Sequence, residues 1–272
     1  MKYKLIVCDF DGTLARTDNT VSEKSRKTID EFFRRGGIFT LSSGRNIASL
    51  RHHLKSAGLY GRDIPLLGLQ GSVIEDNLTG KVLYEAHIGK ENALWFSREC
   101  DKRNVYRHVY TKDGIYSDSP CDFTEMYTRL AGVGMNFVGN VTEYIASSDR
   151  NDFIKILAID SDREKVNRCR EETEAEKPCG VNIFTSGPYF FECISAEAGK
   201  GNGLKKIAEI YGVDMSQTMA FGDEMNDLSM IKAAAVGVAM ENARDKLKAE
   251  ADVIAPSNDA DGVALTIEKY CF

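Results

Sequence analysis

The fold turns on Leu5-Ile6-Val7-Cys8-Asp9-Phe10-Asp11-Gly12-Thr13. Lys4 to Cys8 is an aliphatic, β-branched run with no polar alternation, the pattern of a strand buried on both faces of a parallel sheet. It stops abruptly at Asp9. Two carboxylates directly after such a strand belong at the carboxyl edge of the sheet, where open α/β folds bind ligands. In a continuing strand Asp9 and Asp11 would leave the same face, but Gly12 lets the chain turn sharply, so the two acids are free to take different roles. The plainer alternative is an Asp-Gly turn that merely ends a strand, and the rest of the chain decides between the two.

Working outward, Ser22 caps an expected helix through Arg35 with Ile29, Phe32 and Phe33 on one face, and Gly36-Gly37 releases the chain into a second strand, Ile38 to Leu41. A helix from Asn46 to Ala57 leads to a strand at Leu66 to Leu69. Short strands at Val73-Ile74 and Val82 to Tyr84 flank the turn signal Asp76-Asn77 with Gly80. The alternation returns at the far end: helix Gly203 to Tyr211, strand Thr218 to Phe221, helix Asn226 to Ala235, strand Val236 to Ala239, helix Ala243 to Ala251. The expected fold is therefore α/β, a parallel-sheet core built from residues 1–84 and 189–272. Residues 85–188 form an inserted module, with helices at Glu91 to Arg103 and Glu164 to Glu176 and strands about Tyr106 to Tyr110, Gly114 to Ser117 and Ile154 to Ile159. No long Pro-rich linker and no fixed-period repeat interrupts this pattern.

A chain of 272 residues has room for a main domain and a second module of roughly a hundred residues. With 41 acidic against 35 basic side chains, the net charge of -6 gives no broad positive footprint for nucleic acid or anionic membrane. A small soluble substrate is the expected partner, and no protein partner is implied. Asp9 and Asp11 interrupt the opening apolar run before it reaches the length of a signal-peptide core or a membrane span. The 7 cysteines are scattered without a C-x-x-C pair, which predicts reduced thiols in a cytoplasm.

Gly222-Asp223-Glu224-Met225-Asn226-Asp227 also follows an apolar strand and precedes a helix, so its acids belong at the same edge as Asp9 and Asp11. Four converging carboxylates repel one another unless a cation sits among them, and an all-oxygen set suits Mg²⁺. An acidic helix N-terminus explains Asp223 or Asp227 singly but not the pairing with the first motif. Ser42-Ser43-Gly44-Arg45 closes the second strand and opens a helix, pointing a hydroxyl and free N–H groups at the edge, as a phosphoryl group requires, although Ser-Gly before a helix is also ordinary capping. Lys200, between Gly199 and Gly201, gains meaning only from this company.

These four stations, in this order, resemble the haloacid dehalogenase-like hydrolase superfamily, specifically its Cof-type (subfamily IIB) phosphatases. Asp9-x-Asp11-Gly12-Thr13 is similar to the first motif, Ser43-Gly44-Arg45 to the second, Lys200-Gly201 to the third and Gly222-Asp223-x-x-Asn226-Asp227 to the fourth. The resemblance implies a Rossmann-like core with an inserted α/β cap domain, and a Mg²⁺-dependent phosphatase acting on small phosphorylated metabolites such as sugar phosphates or nucleotides. It implies that Asp9 attacks phosphorus and that Asp11 is the general acid and base. It further implies that Asp9, Asp223, the Asp11 backbone carbonyl and, through water, Asp227 hold the metal. Ser43, Gly44, Lys200 and Asn226 would then hold phosphoryl oxygens. A phosphomutase on the same scaffold, or a non-catalytic protein that binds a phosphorylated metabolite, are the alternatives. One departure is Gln70-Gly71, where the family commonly has Asn-Gly.

Other candidates read blandly. Cys8 points away from Asp9 by strand alternation and is a buried structural thiol. His52, His53, His87 and His108 lack the spacing of helical metal ligands. Tyr106, Tyr110 and Tyr116 with Arg107 read as core rather than as a substrate wall, and the charged run Arg163 to Lys177 as a solvated helix face.

Overall fold

In the computed structural model, which describes residues 1–272 apart from Leu130 and Ala131, the first elements form in the predicted order. They are β1 (Leu5–Asp9), α1 (Glu23–Arg34), β2 (Ile38–Ser42), α2 (Ile47–Ser56) and β3 (Leu66–Gly68). Every residue of β1 is buried, as its unbroken aliphatic run requires. It pairs in parallel with β2 on one side, from Leu5 opposite Ile38 to Asp9 opposite Ser42, and with the strand Thr218–Gly222 on the other. Across the sheet the order is Val253–Ala255, Val236–Met240, Thr218–Gly222, β1, β2, β3, Val73–Glu75, Val82–Glu85. The strands from Val253–Ala255 to β3 run parallel, and Val73–Glu75 turns back antiparallel to β3. From β1 the chain winds outward through β2 and β3, then resumes on the other side with Thr218–Gly222. That reversal opens a crevice at the carboxyl ends of β1 and Thr218–Gly222, a topological switch point where such sheets take their ligands.

Local chemistry accounts for these elements. Ser22 Oγ accepts the Ser25 N–H at 2.9 Å and caps α1, which buries Ile29 and Phe32. A Cβ on Gly37 would strike the Phe32 ring, so this glycine lets α1 lie close to the start of β2. Ile6, Phe39, Leu41, Met219, Phe221 and Ile267 are fully buried in one core, each contributing about 1.5–3 kcal/mol of burial. Three expected helices change shape. Gly203 to Tyr211 begins earlier, at Lys200, and Ala243 to Ala251 shrinks to Asp245–Lys248. The helix expected at Asn226 to Ala235 is a 3₁₀ turn, Met225–Asp227, followed by Leu228–Ala233, because the Asp227 side chain folds back onto the preceding loop. A C-terminal helix, Gly262–Cys271, was not expected from the sequence.

The chain divides into two compact units, Met1–Tyr84 with Gly199–Phe272, and Glu85–Ala198. The sequence boundary at 188 thus moves to 198, because Phe190–Ser195 is a strand of the second unit's sheet, paired with Val181–Gly187 and Lys155–Ile159. That sheet runs Val181–Gly187, Phe190–Ser195, Lys155–Ile159, Tyr106–Thr111, Gly114–Ser117, Asn136–Phe137. On one face, Val109, Ile156, Ala158, Phe191 and Cys193 pack with Phe96 and Cys100 of the helix Gly89–Lys102 and with Val166 and Cys169 of Arg163–Glu176.

Within this unit, Lys155 and Glu192 form a buried ion pair at 2.9 Å, with Lys155 Nζ 4.7 Å from the Tyr110 ring centre. His108 is fully buried and neither ring nitrogen has a hydrogen-bond partner among the described residues. Burial, with Lys155 adding repulsion, pulls His108 down from 6.5 to about 3, so the folded unit holds it neutral. The unfolded chain binds that proton first, so this stability is complete above pH 6.5 and is lost as pH falls toward 3. The expected slope is about 1.4 kcal/mol per pH unit. Urea unfolding of the protein across that range should show the slope, and His108→Leu should flatten it. An unchanged slope in the variant would contradict the assignment.

Candidate active site

Asp9 ends β1, only 7% exposed, and Lys200 begins the helix Lys200–Ile210, 1% exposed. Lys200 Nζ lies 2.5 Å from Asp9 Oδ1 and 2.5 Å from Asp227 Oδ1, bridging residues far apart in sequence. Asp227 is fully buried, and its Oδ2 accepts the N–H groups of Asp223 and Glu224, each at 3.0 Å. Gly222 permits that fold-back, since a Cβ there would strike the Asp227 side chain. Gly12 plays the matching part in the first motif. Its φ of 75° is left-handed, and a Cβ would collide with the Asp223 carboxylate, which accepts Thr13 Oγ1 at 2.8 Å. Gly12 thus lets the two acidic loops approach, while Gly222 lets the second loop fold back on itself.

Two carboxylates share one ammonium here, with Asp223 close beside them. Burial raises the Asp9 carboxyl well above the usual carboxylate range; Lys200 opposes that shift, while Asp227 and Asp223 add to it. Asp223 is pushed up to about 6, chiefly by burial, against the hydrogen bond from Thr13. Burial pulls the Lys200 ammonium down, but Asp227 and Asp9 outweigh it and carry it above the ordinary lysine value. Asp9, Asp223 and Asp227 each present an oxygen within 4.8 Å of the others'. An all-oxygen set with surplus negative charge fits a hard divalent cation. Both Asp227 oxygens already hold partners, which leaves Asp9 and Asp223 as the carboxylates with capacity for a direct bond.

The fourth expected acid stands apart. The Asp11 carboxylate does not join the cluster; it takes a two-pronged contact from Arg45, Nε to Oδ2 at 2.8 Å and a terminal nitrogen to Oδ1 at 3.1 Å. The convergence of four carboxylates expected from sequence is thus a convergence of three. The guanidinium fork matches a carboxylate geometrically, and Arg45 is the last residue of the second motif, just past the end of the adjacent strand β2.

The remaining expected residues gather at the same edge. Ser43 is buried, its N–H donating to the Leu67 carbonyl at 2.9 Å and its Oγ accepting the Arg45 N–H at 3.2 Å. Gly44 follows directly, and Asn226 Nδ2 reaches Gln70 Oε1 at 3.3 Å. Cys8 is fully buried, its Sγ donating to the Asp9 carbonyl at 3.1 Å, with burial and Asp9 raising its thiol well above the ordinary value.

Sequence reasoning passed over two polar residues of this edge. Asn242, past the strand Val236–Met240, donates from Nδ2 to the Gly12 carbonyl at 2.8 Å and accepts the Asn258 N–H at 3.1 Å. Asn258 in turn donates to the Ala15 carbonyl at 2.9 Å. Their signal was position: both follow strands of the parallel sheet, as Asp9 does.

Comparison with known proteins identifies the family. A family model for haloacid dehalogenase-like hydrolases matches residues 6–267. YcsE of Bacillus subtilis, a 5-amino-6-(5-phospho-D-ribitylamino)uracil phosphatase, is 30% identical over 271 residues, covering 98% of this chain and 95% of its own. YwtE of the same organism, of the same name, is 29% identical, covering 98% and 97%. A haloacid dehalogenase-like hydrolase from B. subtilis superposes with a TM-score of 0.86 at 26% identity, over 100% of both chains. Another, from Bacteroides thetaiotaomicron, does so with a TM-score of 0.83 at 28% identity, over 98% of this chain and 99% of its own. With its carboxylates and buried lysine at the switch point of a parallel sheet, the chain belongs to the haloacid dehalogenase-like hydrolase family, as an enzyme among phosphatases.

Proposed function

We propose that the chain is a Mg²⁺-dependent phosphatase that hydrolyses small phosphate monoesters through a phospho-aspartyl intermediate at Asp9, with Asp11 as general acid and base. The observation that carries this reading is Asp9 itself, a buried carboxylate held at 2.5 Å by Lys200 beside Asp223 and Asp227 at the sheet's carboxyl edge. An Asp9 oxygen attacks phosphorus as the ester P–O bond breaks, and the departing oxygen takes a proton from Asp11. Water then attacks the phosphorus of the acyl phosphate, gives its proton to Asp11 and frees Asp9. Asp11 must leave Arg45 to serve both steps. Lys200, Ser43, the Gly44 N–H and Asn226 hold the phosphoryl oxygens as fixed donors. Asp9, Asp223 and the Asp11 backbone carbonyl would hold Mg²⁺, with Asp227 acting through water, and the ion would supply positive charge that lets a phosphate approach a carboxylate.

The names of YcsE and YwtE support putting 5-amino-6-(5-phospho-D-ribitylamino)uracil first in the panel of small phosphorylated metabolites to be tested, beside sugar phosphates and nucleotides. The seven unpaired cysteines support a cytoplasmic setting, and no described helix is long and apolar enough to cross a membrane.

The test is release of inorganic phosphate from that panel and from an aryl phosphate, with Mg²⁺ and with chelator. Turnover that survives chelation would contradict the reading. Asp11→Asn should slow an alkyl phosphate by about 10²–10⁴-fold, and an aryl phosphate with a good leaving group far less in its first step. Equal losses for both in single-turnover kinetics would remove Asp11 from the role of acid.

A further inference from the structure

Gln70 ties three motifs together without belonging to any of them. It lies just past β3 at the carboxyl edge and is 3% exposed. Its N–H donates to the Ser43 carbonyl at 3.1 Å, and its carbonyl accepts the Gly199 N–H at 2.8 Å, next to Lys200. Its side-chain Oε1 accepts Asn226 Nδ2 at 3.3 Å. Its Nε2 lies 2.6 Å from where a Cβ on Gly44 would stand, so any larger residue at 44 would displace this amide.

The backbone is held at a cost. Leu69 and Gln70 are both left-handed, with φ of 50° and 58°, a region that bulky non-glycine residues occupy only where the surroundings enforce it. Asn226 Oδ1 is buried, with no hydrogen-bond partner among the described residues, so Gln70 is what orients that amide.

We infer that Gln70 is a positioning residue of the phosphoryl pocket, acting through Asn226 and against Gly44. One N–H of Asn226 is spent on Gln70 Oε1, which leaves the other directed for a phosphoryl oxygen. This rests on the phosphatase reading above.

Gln70→Met keeps length and loses both polar atoms, while Gln70→Glu keeps the acceptor for Asn226 and replaces Nε2 with a second oxygen. Each is assayed for kcat and KM on an aryl phosphate, for inhibition by inorganic phosphate, and for thermal melting. For Gln70→Met the inhibition constant of phosphate should rise about tenfold and kcat/KM should fall about 10–100-fold, with melting little changed. Gln70→Glu should also weaken phosphate inhibition, since it puts a negative charge beside Gly44, whose N–H is assigned to the phosphoryl group. If Gln70 acts through Asn226, adding Gln70→Met to Asn226→Ala should cost little more than Asn226→Ala alone. Wild-type phosphate inhibition in both Gln70 variants, or losses that add in full, would overturn the inference while leaving the phosphatase reading intact. A wild-type protein that releases no phosphate would overturn both. Should Gln70→Met fail to fold, Gln70→Leu, which also removes the acceptor for Asn226, takes its place in the same assays.

Discussion

Asp9→Asn protein should release phosphate at least about 10⁴-fold more slowly than the wild type, because an amide oxygen cannot attack phosphorus at a useful rate. The same substitution should leave the metal-free fold at least as stable. Burial, with Asp227 and Asp223, makes the ionised Asp9 costly, and the neutral amide removes one of three negative charges from a site with one ammonium. Activity and stability thus move in opposite directions, as they do where a site is assembled at the fold's expense. Thermal melting in chelator beside a phosphate-release assay measures both. An Asp9→Asn protein with ordinary turnover, or one that loses activity only by unfolding, would contradict the assignment.

Lys200→Met carries the second large effect, in both quantities at once. The ammonium is buried between Asp9 and Asp227, and its removal leaves two buried carboxylates without their shared partner. Breaking such a pair costs about 3–5 kcal/mol, far more than an exposed ion pair contributes. Loss of a fixed positive donor at the phosphoryl group should lower kcat by a further ~10²–10³-fold. Combining Lys200→Met with Asp227→Asn should restore part of the stability and none of the activity. Urea unfolding and steady-state kinetics on both proteins separate the two. Full stability in Lys200→Met would mean that this lysine is not the ion-pair partner of both acids.

The elements that bear the site were legible because their chemistry is local. β1 announces itself as an unbroken aliphatic run, and Asp9, Ser43 and Asp223 each close or follow a strand whose end is visible in sequence. What stayed hidden depends on contacts between distant residues. Nothing near Asp11 foretells that Arg45 takes its carboxylate, and nothing near Gly44 foretells that the Gln70 amide needs its space. The boundary of the inserted unit was misplaced at Pro188. Proline there does not end the module; it sits with Tyr189 in the turn joining Val181–Gly187 to Phe190–Ser195, the role its fixed φ suits. The helix Gly262–Cys271 lacked a readable start, because its N-cap, Asp261, is left-handed at φ 60° and makes no side-chain capping bond.

If Asp9 carries the phosphoryl group between two half-reactions, it must be covalently phosphorylated during turnover. The direct measurement is mass spectrometry of peptides from Asp11→Asn protein, acid-quenched during turnover of an aryl phosphate with Mg²⁺. One hydroxylamine-sensitive phosphoryl group is expected on the peptide that contains Asp9, and none when Asp9→Asn is added. Turnover with that peptide unmodified throughout, or with the phosphoryl group on any other side chain, would contradict it.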